Sequence, residues 1–424
     1  MIRDAFEGDD NLMHGLRDAF ANFINSGDIN SKWNTGTSKV GEMIAKYMDM
    51  LLRGGLKLLP PSLLSDHKDR AQAEKSGEAS TSDEDAELDR QLDAAVALFR
   101  FIEGKDVFEA FYKKDLSRRL LMGRSASQDA EQRTISKLKS ECGSAFTNNL
   151  EQMFKDFAMA KEHMDQYQVW RQGTGWEIPK MDFNATILTE ASWPKYADVQ
   201  VRVPAIIAEQ IRQYEKYYLD RHSGRKLLWR HGLATANVSA RFDRGRKELM
   251  VSAFQAIVLM LFNEEDGDNG NVVRSYKQLS EATGLVDAEL QRTLQSLACG
   301  KLRVLTKHPK GRDVMPTDTF TVNKGFSDPK FRVKINQIQL KETPAENKET
   351  HERVAADRQF ETQAAIVRIL KARKTMPHAQ LVAEVIDQTK KRGALDPKDI
   401  KANLEKLIDK DYIERDDTSY SYVA

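Results

Sequence analysis

Cysteine is nearly missing from this sequence: Cys142 and Cys299 are the only two in 424 residues, far apart and without partners at metal-ligand spacing. Neither a disulfide framework nor a zinc cage can be built from them, and such sparse use fits a reducing, cytosolic or nuclear compartment. No apolar run approaches the ~20 residues of a membrane-spanning helix. The opening MIRDAFEGDD has neither a basic region nor an apolar one, unlike a secretory leader. On these absences an intracellular chain is expected. An excess of either charge is also lacking, since Lys+Arg number 65 and Asp+Glu 64, so net charge alone points to no nucleic-acid partner. Signatures of catalysis are missing as well. The chain contains no GxxxxGK[ST], no GxGxxG after a strand, no GxSxG and no HExxH, and its eight histidines are scattered. EEDGDNGN (264–271) has two aspartates at a calcium-loop interval, but the bidentate glutamate such a loop needs does not follow, and it reads as a solvated loop.

What is present is helix-forming and charged, with 30% charged and 40% hydrophobic residues, in a chain long enough for about three domains. From Leu12 to Arg53 the apolar residues recur at helical spacing, Leu16, Phe20, Phe23 and Ile24 on one face and Ile44, Met48, Leu51 and Leu52 on another, on either side of a connection. Residues 62–89 are polar enough to read as a disordered loop. Helical periodicity then resumes and runs to about Trp170, with Val107, Phe108, Phe111, Tyr112, Leu116 and Leu120 in one stripe, which predicts a bundle over 1–190. Beyond it the period changes. VQVRVP, RKLLWR and NVSARF read as short strands, and RKELMVSAFQAIVLMLFN reads as a strand entering a buried helix. From Tyr276 the order helix, turn, helix, strand, basic loop, strand is that of a winged helix, closing an α/β domain over 191–345. The order recurs in 346–424 after a polar helical link over 341–359, with Pro397 at the first position of its last helix. The expected fold is therefore α+β and multidomain: a mainly helical bundle, an α/β domain with winged-helix elements, and a C-terminal winged helix.

Two features invite a functional reading. Winged helices bind DNA or dock proteins, and the mixed charges of DAELQRTLQSLACGK and PKDIKANLEKLIDK do not decide between the two. Lys113, Lys114, Arg118 and Arg119 gather off the apolar stripe of their helix, either as ordinary solvated charges or as a landing surface for an acidic partner. In IVRILKARK (366–374), Ile366, Ile369 and Leu370 share a core face, while Lys371 follows Val367 on another line with Arg368 one turn before it. Like charges favour the neutral amine modestly, the form that attacks an acyl donor. By itself this is an ordinary surface lysine.

Several long blocks change that reading. FRFIEGKDVFEAFYKKDLSRRLL, SASQDAEQRTISKLKSECGSAFT, HSGRKLLWR, RTLQSLACGKLRVLTKHPKGRD, FRVKINQIQLKET and AAIVRILKARKT together resemble the carboxyl-terminal half of a cullin, densely from Leu98 to Ala424. The resemblance implies a non-catalytic scaffold of a modular ubiquitin ligase, acting in ubiquitin-dependent protein degradation. It implies a RING-box protein bound through an intermolecular sheet, with Val199, Val201, Val203, Leu249, Val251 and Phe254 as the matching residues. No cofactor is expected in the chain itself, zinc belonging to the RING-box partner. Lys371 falls on the family's neddylation site, where a ubiquitin-like modifier is attached by an isopeptide bond; Leu370 and Ala372 stand where methionines are common. Related cullins use a basic surface corresponding to Lys113, Lys114, Arg118 and Arg119 to attract the acidic tail of a ubiquitin-conjugating enzyme. The other partners implied are the neddylation enzymes, a deneddylating signalosome complex and a cullin-associated exchange factor, with location in nucleus and cytoplasm and neither membrane nor direct nucleic-acid binding. Cullins begin with helical repeats that bind a substrate adaptor. The 424 residues have no room for them, so a truncated form without adaptor binding is expected.

Overall fold

A computed structural model describes residues 10–26, 39–60, 81–125, 127–175, 181–263, 272–335, 344–389 and 397–423. It divides into two compact units, one of Met1–Lys155, Ala191–Pro194 and Glu342–Ala424, the other of Asp156–Glu190 and Lys195–Lys341. The first unit contains helices α1 (Asp10–Ile24), α2 (Lys39–Gly54), α3 (Thr81–Phe99), α4 (Lys105–Met122), α5 (Gln128–Cys142) and the start of α6 (Ser144–Gly173). The α4 stripe read from the sequence is buried throughout, and it packs on Ile44, Met48, Leu51 and Leu52 of α2. Gly41 permits that approach, because a Cβ there would stand 2.8 Å from the Gly104 carbonyl oxygen and 3.1 Å from the Phe108 nitrogen. On α1 the expected stripe is only partly covered by described residues, Phe20 and Ile24 being half-buried. Leu16 and Phe23 stay exposed, and the helix is held instead by Phe20 edge-on to Phe101 and by the Asn25 amide donating to the Phe101 carbonyl at 2.7 Å.

The disordered loop expected over 62–89 is overturned at its end. Residues 81–89 are the first turns of α3, where Leu88 begins a buried seam continued by Leu92, Ala95, Val96 and Phe99. Glu87, buried too, accepts from Gln91, whose own oxygen takes the Tyr47 hydroxyl of α2 at 2.7 Å. The acidic run ahead of it sits at a helix amino terminus, where negative charge is favoured by the aligned peptide dipoles. Residues 61–80, like the connection at 27–38, lie outside the described residues.

The C-terminal part of the first unit opens with α11 (Pro344–Arg373), one continuous helix of 30 residues that joins the link over 341–359 to the helix expected at 363–374. It is followed by β7 (Thr375–Pro377), α12 (His378–Thr389), α13 (Pro397–Ile408), β8 (Ile413–Asp416) and β9 (Ser419–Tyr422), with strand order β7-β9-β8. Ile366, Ile369, Leu370, Leu381, Val385, Ile400, Leu404 and Tyr420 form its core. This is the expected winged helix.

In the second unit the tail of α6 packs through Met164, Tyr167 and Trp170 on Tyr214, Tyr217 and Tyr218 of α7 (Ala205–Arg221). That aromatic cluster places the stretch after Lys155 with the α/β unit, upstream of the division expected at 190. Strands β1 (Thr235–Phe242) and β2 (Gly245–Ser252) form an antiparallel hairpin, and β6 (Arg332–Lys334) pairs parallel with the other edge of β2. A capping box between Ser252 and Gln255 turns β2 directly into buried α8 (Ala253–Met260). The internal winged helix comprises β3 (Val273–Ser275), α9 (Tyr276–Thr283), α10 (Asp287–Ala298), β4 (Leu305–His308) and β5 (Thr319–Val322), in sheet order β3-β5-β4. Gly284, left-handed at φ 69°, makes the turn between its helices.

Two expected strands are not strands. VQVRVP and RKLLWR have no ladder partner among the described residues. In VQVRVP the alternation is one of burial alone: Val199, Val201 and Val203 are half-buried, Gln200 and Arg202 exposed. Val199 and Val201 lie on the core, while Arg202 is tied by its backbone N–H to the Thr283 carbonyl at 2.7 Å. The acidic loop 264–271 lies outside the described residues. Among the described residues no helix is long and apolar enough to cross a membrane, and no group of three or more His, Cys, Asp or Glu is placed to hold a metal ion.

Candidate functional site

Lys371 occupies the last turn of α11, exposed, with Ile366, Ile369 and Leu370 buried beneath it. The helix ends two residues later, at Arg373. Lys374 turns left-handed at φ 69°, its N–H donates to the Leu370 carbonyl at 2.7 Å, and its carbonyl accepts the Tyr422 N–H of β9 at 3.1 Å. The like charges around Lys371 in the sequence are drawn off sideways. Arg368 donates to the Gln388 carboxamide at 2.7 Å, and Arg373 lies 3.5 Å from the Glu384 carboxylate. The Lys371 ammonium lies over the ring of Tyr422, 5.9 Å from its centroid. Such an amine, mounted on a rigid helix end and open to solvent, can be reached by an acyl donor.

The basic residues of α4 are not one surface. Arg119 is 2% exposed. Its guanidinium donates twice to Glu131 of α5, at 2.6 and 3.0 Å, and once to Asp49 of α2, at 2.6 Å. Burial opposes its charge, yet the adjoining Glu131 carboxylate, with Asp49, more than offsets that and raises its pKa. Arg119 is a structural tie among three helices and drops out of the landing surface. Lys113, Lys114 and Arg118 are half-buried, and burial lowers the Lys113 pKa against the pull of Glu109. Arg118 meets the Glu346 carboxylate of α11 at 2.8 Å, while Lys114 reaches the Glu346 carbonyl at 3.3 Å and the Thr350 hydroxyl at 3.2 Å. Further along α11, His351 bonds Glu42 of α2 at 2.7 Å against the Phe111 ring, and Arg358 clasps Asp106 through two nitrogens. Sequence reasoning missed Glu346, His351 and Arg358, which lie more than 200 positions from their partners, and it missed Tyr422, which no local pattern links to Lys371.

In the second unit Leu249, Val251 and Phe254, read as partner-binding residues, are buried in the chain's own core. Their side chains line β2 and α8 from inside and present nothing to a partner. The sheet has two open edges among the described residues, the outer edge of the short β6 and that of β1, the longer strand, which pairs with β2 on one side only. The β1 side chains alternate between exposed and half-buried up to Phe242, which is buried.

Three family models match the chain: the cullin alpha solenoid domain over residues 1–164, the cullin alpha+beta domain over 187–326, and the cullin protein neddylation domain over 357–419. The chain belongs to the cullin family. It is 44% identical over 427 residues to Cullin-4A of Mus musculus, covering 100% of this chain and 51% of that protein. To Cullin-4 of Schizosaccharomyces pombe it is 38% identical over 425 residues, covering 100% of this chain and 53% of that one. The chain thus spans about half the length of the curated relatives it matches. A solved chain from a Dcn1–Cdc53 complex, titled a dual E3 mechanism for Rub1 ligation, is 36% identical with a TM-score of 0.18, covering 20% of this chain and 98% of that chain. The matched neddylation region contains Lys371 and the buried Ile366, Ile369 and Leu370 beneath it, and it ends at the start of β9, three residues short of Tyr422.

Proposed function

We propose that this chain is the non-catalytic scaffold half of a cullin-RING ubiquitin ligase, and that it is activated by covalent attachment of a ubiquitin-like modifier to Lys371. The observation that carries the reading is an exposed amine on the rigid end of α11, inside the matched neddylation domain. A RING-box protein adds a strand to the open edge of β1, where main-chain hydrogen bonds supply affinity. Val199, Val201 and Val203, half-buried in a segment without a strand partner among the described residues, are the further residues the family match offers to it. Zinc enters with that partner. Lys113, Lys114 and Arg118 draw the acidic tail of a conjugating enzyme, raising encounter rate more than affinity. With Lys371 free, the C-terminal winged helix docks against the RING; modification shifts the population to a released state. A deneddylating signalosome removes the modifier and a cullin-associated exchange factor is a further partner, in nucleus and cytoplasm, and substrate recruitment lies outside this half.

The test is co-purification with a RING-box protein, followed by ubiquitin transfer with the full conjugation machinery. Lys371→Arg is expected to abolish modification and its stimulation of transfer; undiminished stimulation would overturn the reading. Salt-sensitive binding of duplex DNA without RING-box capture would favour the winged-helix DNA-binding alternative instead.

A further inference from the structure

The end of α11 offers two exposed lysines three positions apart, Lys371 in its last turn and Lys374 just past it. Their surroundings differ. Lys371 has an aromatic platform, the ring of Tyr422 at 5.9 Å from its Nζ, whereas no ring contact is found for Lys374 among the described residues. That platform is fixed in two ways: the Tyr422 N–H is bonded to the Lys374 carbonyl at 3.1 Å, and the half-buried side chain packs on the winged-helix core from a position paired with Ile413. The end of β9 is thereby registered against the end of α11.

We propose that Tyr422 is a positioning residue for the acceptor amine, confining the long Lys371 side chain above β9 and selecting it over Lys374. The inference rests on Lys371 being the modified residue. A free lysine side chain samples many rotamers, and one whose head group is attracted to a ring face samples fewer. In the transfer step the ammonium first gives a proton to solvent, and the amine nitrogen attacks the modifier's thioester carbonyl on the charged conjugating enzyme. The C–N bond forms, the C–S bond breaks, and the departing thiolate takes up the proton the nitrogen sheds. Confinement ahead of this step raises the fraction of encounters in attacking geometry. The ring attracts the ammonium rather than the amine, so what it contributes is confinement up to proton loss, about a two- to fivefold effect at the size of an exposed cation–π contact.

The test is single-turnover modification of the chain in complex with its RING-box partner, at saturating charged enzyme, with the modified lysines located by mass spectrometry and melting temperature recorded alongside. Tyr422→Phe keeps the ring face and is expected to keep both rate and site. Tyr422→Leu keeps apolar bulk without the ring, and Tyr422→Ala removes both. Each is expected to slow modification of Lys371 about two- to fivefold and to raise the share found on Lys374. Should Tyr422→Ala melt, Tyr422→Leu decides. A Tyr422→Leu protein with native rate and native site distribution overturns the proposal, as does a loss shared equally by all lysines and tracking melting temperature. If Lys371→Arg is modified as fully as the native chain, the reading of Lys371 itself fails, whatever the tyrosine variants do.

Discussion

Replacing Arg119 by methionine separates a structural arginine from a recruiting one. The side chain is 2% exposed and the Glu131 carboxylate it holds is fully buried, so its loss strands two acids in a low-dielectric interior. Breaking a buried pair in this way costs about 3–5 kcal/mol. Two residual partners pull the value toward the lower end: the Ser125 hydroxyl still donates to Glu131 at 2.7 Å, and Arg53 remains 3.8 Å from Asp49. We expect a loss of about 3 kcal/mol, read from hydrogen exchange of the α2, α4 and α5 amides and from denaturant unfolding. The surface pair Lys348–Glu352 is the control, and Lys348→Met should leave both readouts unchanged. Adding Glu131→Leu and Asp49→Asn to Arg119→Met should restore most of the loss, because no buried charge is then left alone. A cost under about 1 kcal/mol for Arg119→Met, the range of exposed ion pairs, would refute the assignment and return Arg119 to the surface.

Gly41→Ala should cost about 1–3 kcal/mol, measured by denaturant unfolding, because its methyl meets the carbonyl oxygen of Gly104, just ahead of α4, at 2.8 Å and backbone cannot step aside as a flexible side chain does. A double-mutant cycle on Asp106→Asn and Arg358→Ala should give a coupling of about 1.5 kcal/mol, the size of a part-buried bidentate charge pair, and exchange along the first half of α11 should rise in both single variants. Burial lowers the His231 pKa, against a smaller opposing pull from Asp198. The unfolded chain, with its histidine near the ordinary value of about 6.5, therefore binds this proton more readily than the native one. Its contribution is present above that value and lost as pH falls, so His231→Gln should flatten the stability profile of the second unit on the acid side.

Much of the architecture could be read locally. Helical stripes such as Val107 to Leu120, the Gly284 turn and Pro397 at a helix start are short-range signals, because backbone geometry converts residue spacing directly into a face or a boundary. VQVRVP shows the limit of the same rule: a period of two makes alternate burial, but a strand also needs a neighbour with free N–H and C=O groups. The polar opening of α3 misled for a related reason, since Leu88 belongs to a seam that exists only once α2 lies beside it.

By itself the sequence determined the family, the order of most of the elements, and a lysine standing off the apolar face of a helix near the carboxyl end. Only the tertiary structure decided what the charges do. It buried Arg119 between Glu131 and Asp49, set Glu346 across Lys114 and Arg118, and laid Tyr422 beneath Lys371. Charge is written residue by residue, but its solvation and its partners depend on packing between segments far apart in the chain, and those distances set whether a cation ties a fold together or stays free to react.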